Sequence, residues 1–62
     1  MESISYVKHL QIITEKNPKS YMTTVNDGKG TLYSEQSNNE VNARLAHKRA
    51  KVWAMKYIKD QA

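Results

Sequence analysis

The stretch SNNEVNARLAHKRAKVWAMKYIKD, residues 37–60, decides the fold of this 62-residue chain. It contains neither Gly nor Pro, and good helix formers (Ala, Arg, Leu, Lys and Met) dominate it. It opens with Ser37 followed three residues later by Glu40, which is the pattern of a capping box. The sequence therefore predicts a helix from about Asn38 to about Lys59.

This helix has two apolar faces when its residues are placed at about 100° intervals. The broad face consists of Ala43, Ala46, Ala50, Trp53, Ala54, Tyr57 and Ile58. A narrower aliphatic stripe consists of Val41, Leu45, Val52 and Met55. We expect the broad face to cover the hairpin, with both of its aromatic residues in the core rather than on a base-stacking platform or at an interface. The stripe is expected to meet an N-terminal helix, another subunit or a partner.

Upstream of this helix, the sequence predicts a β-hairpin. Residues 20–25 (SYMTTV) and 31–36 (TLYSEQ) are rich in Thr, Tyr and Val, and they flank Asn-Asp-Gly-Lys-Gly at 26–30. Asn and Asp tolerate turn geometry, and Gly adopts positive φ without steric cost. Two such runs around a short Gly-containing loop are typical of a hairpin, with Tyr21, Thr23 and Val25 on one face.

Residues 3–16 (SISYVKHLQIITEK) fit two interpretations. As a helix, the segment places Tyr6, Val7, Leu10 and Ile13 on one arc, and the residues before Pro18 end it. The β-branched pair Ile12-Ile13 favours a strand instead. We favour the helix.

The predicted fold is one small α+β domain over residues 1–62: helix, β-hairpin, and a long C-terminal helix packed on the hairpin. The alternative is a three-stranded antiparallel sheet with one C-terminal helix, an architecture that resembles small DNA-binding domains that lay a sheet in the major groove. A chain of this length buries only about 60% of its unfolded surface, and it has no cysteine. A homodimer or a stabilising partner is therefore expected.

The charge of the chain is concentrated in its last third. Residues 1–40 contain four lysines and five carboxylates, a net charge of −1, whereas residues 41–62 contain six cations and one carboxylate, a net charge of +5. Concentrated positive charge on a helix indicates a polyanion or an acidic protein surface as partner. The predicted phosphate-binding residues are Arg44, Lys48, Arg49, Lys51 and Lys56, supplemented by Lys19 and Lys29.

Residues 48–58 (KRAKVWAMKYI) resemble the last helix of double-stranded-RNA-binding domains. That helix has a Lys-rich start and an Ala-Lys-x-x-Ala-x-x-x-Leu pattern, which is matched by Ala50, Lys51, Ala54 and Ile58. The resemblance covers about a fifth of the chain. It implies phosphate contacts by Lys48, Arg49 and Lys51. Because the third strand and the Gly-rich approach to the helix are missing from the sequence, we assign no family.

Metal binding, catalysis and membrane insertion are not expected. Residues 25–36 resemble the calcium loop of the EF-hand family, but Val25, Lys29 and Gln36 occupy positions that need oxygen ligands of the right charge. No convincing catalytic set or cofactor motif is present, and no apolar run approaches the ~20 residues that span a bilayer. The N-terminus lacks the features of a signal peptide, so a cytoplasmic protein is expected.

Two functions are predicted, of which nucleic-acid binding is the leading one. The first is sequence-independent binding of DNA or RNA through phosphate contacts of the basic helix. The alternative is a modulator or inhibitor that docks the same helix on an acidic surface of another protein, with the stripe residues Val41, Leu45, Val52 and Met55 at the interface. The stripe is also suited to self-association.

Overall fold

Residues 2–61 of the computed structural model form one four-stranded antiparallel sheet with a single helix across one of its faces. The strands are β1 (Glu2–Val7), β2 (Leu10–Lys16), β3 (Tyr21–Asn26) and β4 (Thr31–Ser37), and they lie in chain order within the sheet. The helix α1 (Glu40–Gln61) follows β4 directly. The predicted α+β class, the hairpin of residues 20–36 and the long C-terminal helix are therefore confirmed.

The N-terminal segment is a second β-hairpin, so the prediction of a helix over residues 3–16 was wrong. β1 and β2 pair from Glu2 opposite Glu15 to Val7 opposite Leu10, which leaves a two-residue turn. Lys8 in this turn has a φ of 57°, a left-handed conformation that residues with a Cβ rarely adopt. The alternative prediction, an antiparallel sheet with one C-terminal helix, matches the observed architecture, but it had three strands where the structure has four.

The turn between β3 and β4 is held by a carboxylate. Asp27 accepts hydrogen bonds from the backbone N–H groups of Lys29 (2.8 Å) and Gly30 (3.0 Å), and Gly28 has a φ of 90°. These N–H donors, that of Lys29 first, hold the pKa of Asp27 below its ordinary value. The Asp27 carboxylate, which takes the third position of the calcium-loop resemblance, is therefore occupied by the turn itself.

The start of α1 also differs from the predicted cap. Asn39 caps the helix, because its side-chain oxygen accepts a hydrogen bond of 2.8 Å from the backbone N–H of Asn42. Ser37, the predicted cap, is instead the buried last residue of β4. Sequence alone could not distinguish the two, since Ser and Asn are both common at this position.

The core lies between α1 and the sheet. Four alanines on the inner face of the helix are fully buried: Ala43, Ala46, Ala50 and Ala54. Their small side chains let the helix approach the sheet closely, where Leu10, Ile12 and Val25 are also fully buried. Trp53 and Tyr57 stack on each other with ring centroids 5.2 Å apart and pack, half-buried, against this core.

Candidate functional site

The aliphatic stripe lies on the solvent side of α1. Val41, Leu45, Val52 and Met55 keep 48–68% of their surface exposed, whereas the alanines of the inner face are fully buried. The helix periodicity that places alanine at every third or fourth residue against the sheet turns these larger side chains outward. With no N-terminal helix to cover it, the stripe is uncovered in the described part of the chain.

Basic residues lie within and beside the stripe, and together they form what we call the outer face of α1. Lys48 lies between Leu45 and Val52 at helical spacing, and these three residues with Arg49 line a shallow depression of about 290 Å³. At 3.6 residues per turn, the remaining predicted helix cations fall along the two borders of the stripe. They are Arg44 and Lys51 on the side of His47, which contacts β1, and Arg49 and Lys56 on the opposite side, where Arg49 contacts β4.

Two of these cations have partners within the protein. Arg49 forms an ion pair with Glu35 of β4, and the hydroxyl of Tyr33 donates a hydrogen bond of 2.8 Å to the same carboxylate. Bonding by Arg49, and then by Tyr33, lowers the pKa of Glu35. Arg44 lies 3.7 Å from the carboxylate of Glu40 in an exposed pair one helical turn apart.

The other three predicted helix cations, Lys48, Lys51 and Lys56, form no ion pair within residues 2–61. The outer face therefore combines exposed aliphatic carbon with excess positive charge.

The two lysines predicted to supplement the helix are far from each other along the sheet. Lys19 lies in the turn between β2 and β3, and Lys29 lies in the turn between β3 and β4. Because consecutive strands are antiparallel, these two turns lie at opposite ends of the sheet. The structure therefore does not bring both lysines to one end of the basic helix.

A partly buried polar network, missed by the sequence analysis, joins the first half of α1 to the sheet. His47 Nε2 lies 2.8 Å from the hydroxyl of Ser5, and Nδ1 lies 2.7 Å from the hydroxyl of Thr14. Thr14 in turn lies 2.9 Å from the hydroxyl of Thr23, and both threonines are fully buried. Burial, and secondarily the charge of Lys51, lowers the pKa of His47, so the ring is neutral near pH 7.

A signal for this network was present in β1. Ser3 and Ser5 alternate with Ile4 and Tyr6, and this alternation places hydroxyl groups on one face of a strand. The usual assumption that apolar side chains face the core gives the wrong face here. A neutral histidine, with one donor and one acceptor, bonds the hydroxyls of Ser5 and Thr14 where an aliphatic residue could not.

Among residues 2–61, no three His, Asp or Glu side chains group closely enough to hold a metal ion. The one helix within residues 2–61 is not apolar enough to cross a membrane.

No protein-family model matches this chain, and no curated protein or solved structure is significantly similar to it.

Proposed function

We propose that this protein is a non-catalytic binding module that docks the outer face of α1 on an acidic, partly apolar surface of a partner protein. The observation that carries the proposal is the exposure of the aliphatic stripe, at 48–68% of each side chain, on a helix whose other face already covers the sheet. A small domain buries little apolar surface, so side chains of this size would stabilise it more if they were buried in the core.

The arrangement of charge around the stripe fits such a surface. Protein interfaces commonly have an apolar centre and a polar rim, in which rim charges steer the encounter and set its orientation. Here aliphatic side chains lie along the middle of the outer face, and cations such as Lys51 and Lys56 lie along its borders. A partner with carboxylates bordering an apolar patch is complementary to both features.

The test is capture from nuclease-treated lysate with three forms of the full chain: wild type, Leu45→Glu and Lys19→Glu. Both variants exchange one exposed residue for glutamate, but only Leu45 lies in the stripe. We expect the wild type and Lys19→Glu to retain the same stoichiometric protein, and Leu45→Glu to lose it. Equal retention by all three forms contradicts the proposal, and so does capture that disappears on nuclease treatment.

Nucleic-acid binding is the second candidate, and the three helix lysines without ion-pair partners favour it. Phosphate contacts by Lys48, Lys51 and Lys56 require only exposed positive charge, and none of these residues is neutralised within residues 2–61. The stripe argues against it as the leading function, because phosphate contacts require no exposed aliphatic side chains.

Salt dependence distinguishes the second candidate from the first. For duplex DNA the logarithm of the binding constant should fall with the logarithm of salt concentration, with a slope of about −0.9 per neutralised phosphate. Three contacts therefore predict a slope of roughly −2.7, and Leu45→Glu should reduce DNA affinity far less than Lys48→Glu. An affinity that does not change with salt contradicts nucleic-acid binding.

A further inference from the structure

The face of the sheet opposite α1 is uncovered in the described structure, and we call it the open face. Its outward residues on β1 include Ile4 and Tyr6, which are 50% and 66% exposed. Ile4 lies opposite Ile13 of β2, so two apolar side chains adjoin each other there. On β3, Thr24 lies opposite Ile13 and Met22 lies opposite Glu15, which places Met22 diagonally from Ile13. The open face is therefore a second exposed apolar surface on this small protein.

The charge of the open face is opposite to that of α1. Glu2 and Glu15 lie directly opposite each other at one end of this face, and neither is in an ion pair within residues 2–61. Like charges at directly opposite positions of two strands destabilise the pairing. The outward-facing strand residues contribute no lysine or arginine to relieve this repulsion. An external cation over this position would remove it.

The outer face of α1 presents what the open face lacks. It combines an aliphatic stripe with unpaired lysines, whereas the open face combines aliphatic and aromatic carbon with unpaired carboxylates. We infer that the partner of the outer helix face is the open sheet face of a second copy of this chain. This inference rests on the proposed function, because it uses the same helix face and names what that face binds.

The contact joins two different surfaces, so it is heterologous. Each copy that docks its helix on a neighbour still presents its own open face to a third copy. Head-to-tail contacts of this kind extend into rings or open chains and do not stop at a symmetric dimer. The packing repeats the arrangement already present inside each copy, in which a helix lies across an antiparallel sheet.

Sedimentation of the full chain at near-physiological salt tests the inference, since salt screens the long-range repulsion between copies that each carry a net charge of +4. The weight-average mass of the wild type should rise continuously with concentration and pass that of a dimer. Two variants interrupt one face each: Ile4→Lys alters the sheet, and Leu45→Gln with Val52→Gln alters the helix. Circular dichroism verifies that each remains folded.

Each variant alone should associate at least about tenfold more weakly than the wild type, because it lacks one of the two faces. An equimolar mixture of the two should form a heterodimer and nothing larger, since one intact helix meets one intact sheet. The matched controls, Asn17→Lys and Lys19→Gln in an exposed turn, should behave as wild type.

Three outcomes overturn the inference: a wild type that stays monomeric at every concentration, an Ile4→Lys variant that associates like the wild type, and a mixture that stays monomeric. If the Ile4→Lys variant associates as strongly as the wild type, the contact is between two helices instead. A monomeric wild type leaves the proposed function standing, because that function is tested by capture of a different protein through Leu45.

Discussion

The two long faces of α1 differ in a way that is unusual for a surface helix. The inner face contacts the sheet mainly through alanines that are fully buried, whereas the outer face presents Val, Leu and Met with about half or more of each side chain exposed. Burial normally favours the larger aliphatic residues. The comparison shows that close approach to the sheet determines the inner residues, and that the fold by itself gives no reason for the outer ones.

The largest expected effect comes from placing the same charged residue on each face. Ala50→Glu buries a carboxylate without a partner and should cost about 4–5 kcal/mol, whereas a chain of 62 residues is stable by only roughly 3–9 kcal/mol. Leu45→Glu should change stability by no more than about 0.5 kcal/mol. Urea unfolding followed by circular dichroism measures both, and equal losses would show that the stripe belongs to the core.

A smaller loss of stability is expected from the inner face of α1, where His47 contacts the sheet through hydrogen bonds. Thr14→Val keeps the shape of the side chain but removes the hydroxyl between His47 and Thr23. The variant should lose about 1–3 kcal/mol in urea unfolding, because buried polar groups lose a partner. Thr24→Val is the matched control. Thr24 lies on the face of the sheet that points away from α1, and its substitution should change stability much less. If Thr14→Val left the free energy of unfolding unchanged, the network would contribute nothing to stability.

The smallest effect is a pH dependence confined to the inner face. Since the folded protein holds the pKa of His47 below its ordinary value of about 6.5, the unfolded chain binds more protons as the pH falls through 6.5. Stability should be complete above this pH and decline below it. Charge on the ring is opposed by burial and by Lys51, whereas Ser5 and Thr14 are uncharged.

His47→Gln isolates this contribution. The variant should show a flatter stability curve between about pH 7 and pH 5 than the wild type, whatever its absolute stability. Thermal unfolding at a series of pH values measures the difference. Parallel curves for the two proteins would remove His47 as the source of the pH dependence.

The parts of the fold that sequence predicted are those whose local signals agree with the tertiary structure. The β3–β4 hairpin has Asp and Gly in its turn, and α1 has uninterrupted helix formers. The β1–β2 hairpin has neither kind of signal, because its turn is Lys8-His9 and Lys8 adopts positive φ without being Gly. In β1, moreover, serines face the helix while Ile4 and Tyr6 face outward, which inverts the expected alternation.

The candidate site was predictable to the extent that it depends on one helix. Spacing along α1 was enough to separate the stripe from the inner face and to place cations beside it. It could not show that Arg49 is paired with Glu35, or that Lys19 and Lys29 lie at opposite ends of the sheet. Those facts depend on strand order and on contacts between distant segments.

The central claim is that the outer face of α1 binds protein. The most direct measurement is photo-crosslinking in nuclease-treated extract, with the photoreactive residue placed at position 52 in the stripe or at position 19 in the turn. The claim predicts a discrete protein adduct from position 52, whether a second copy or another protein, and none from position 19. Equal adducts from both positions, or no protein adduct from position 52, would contradict it.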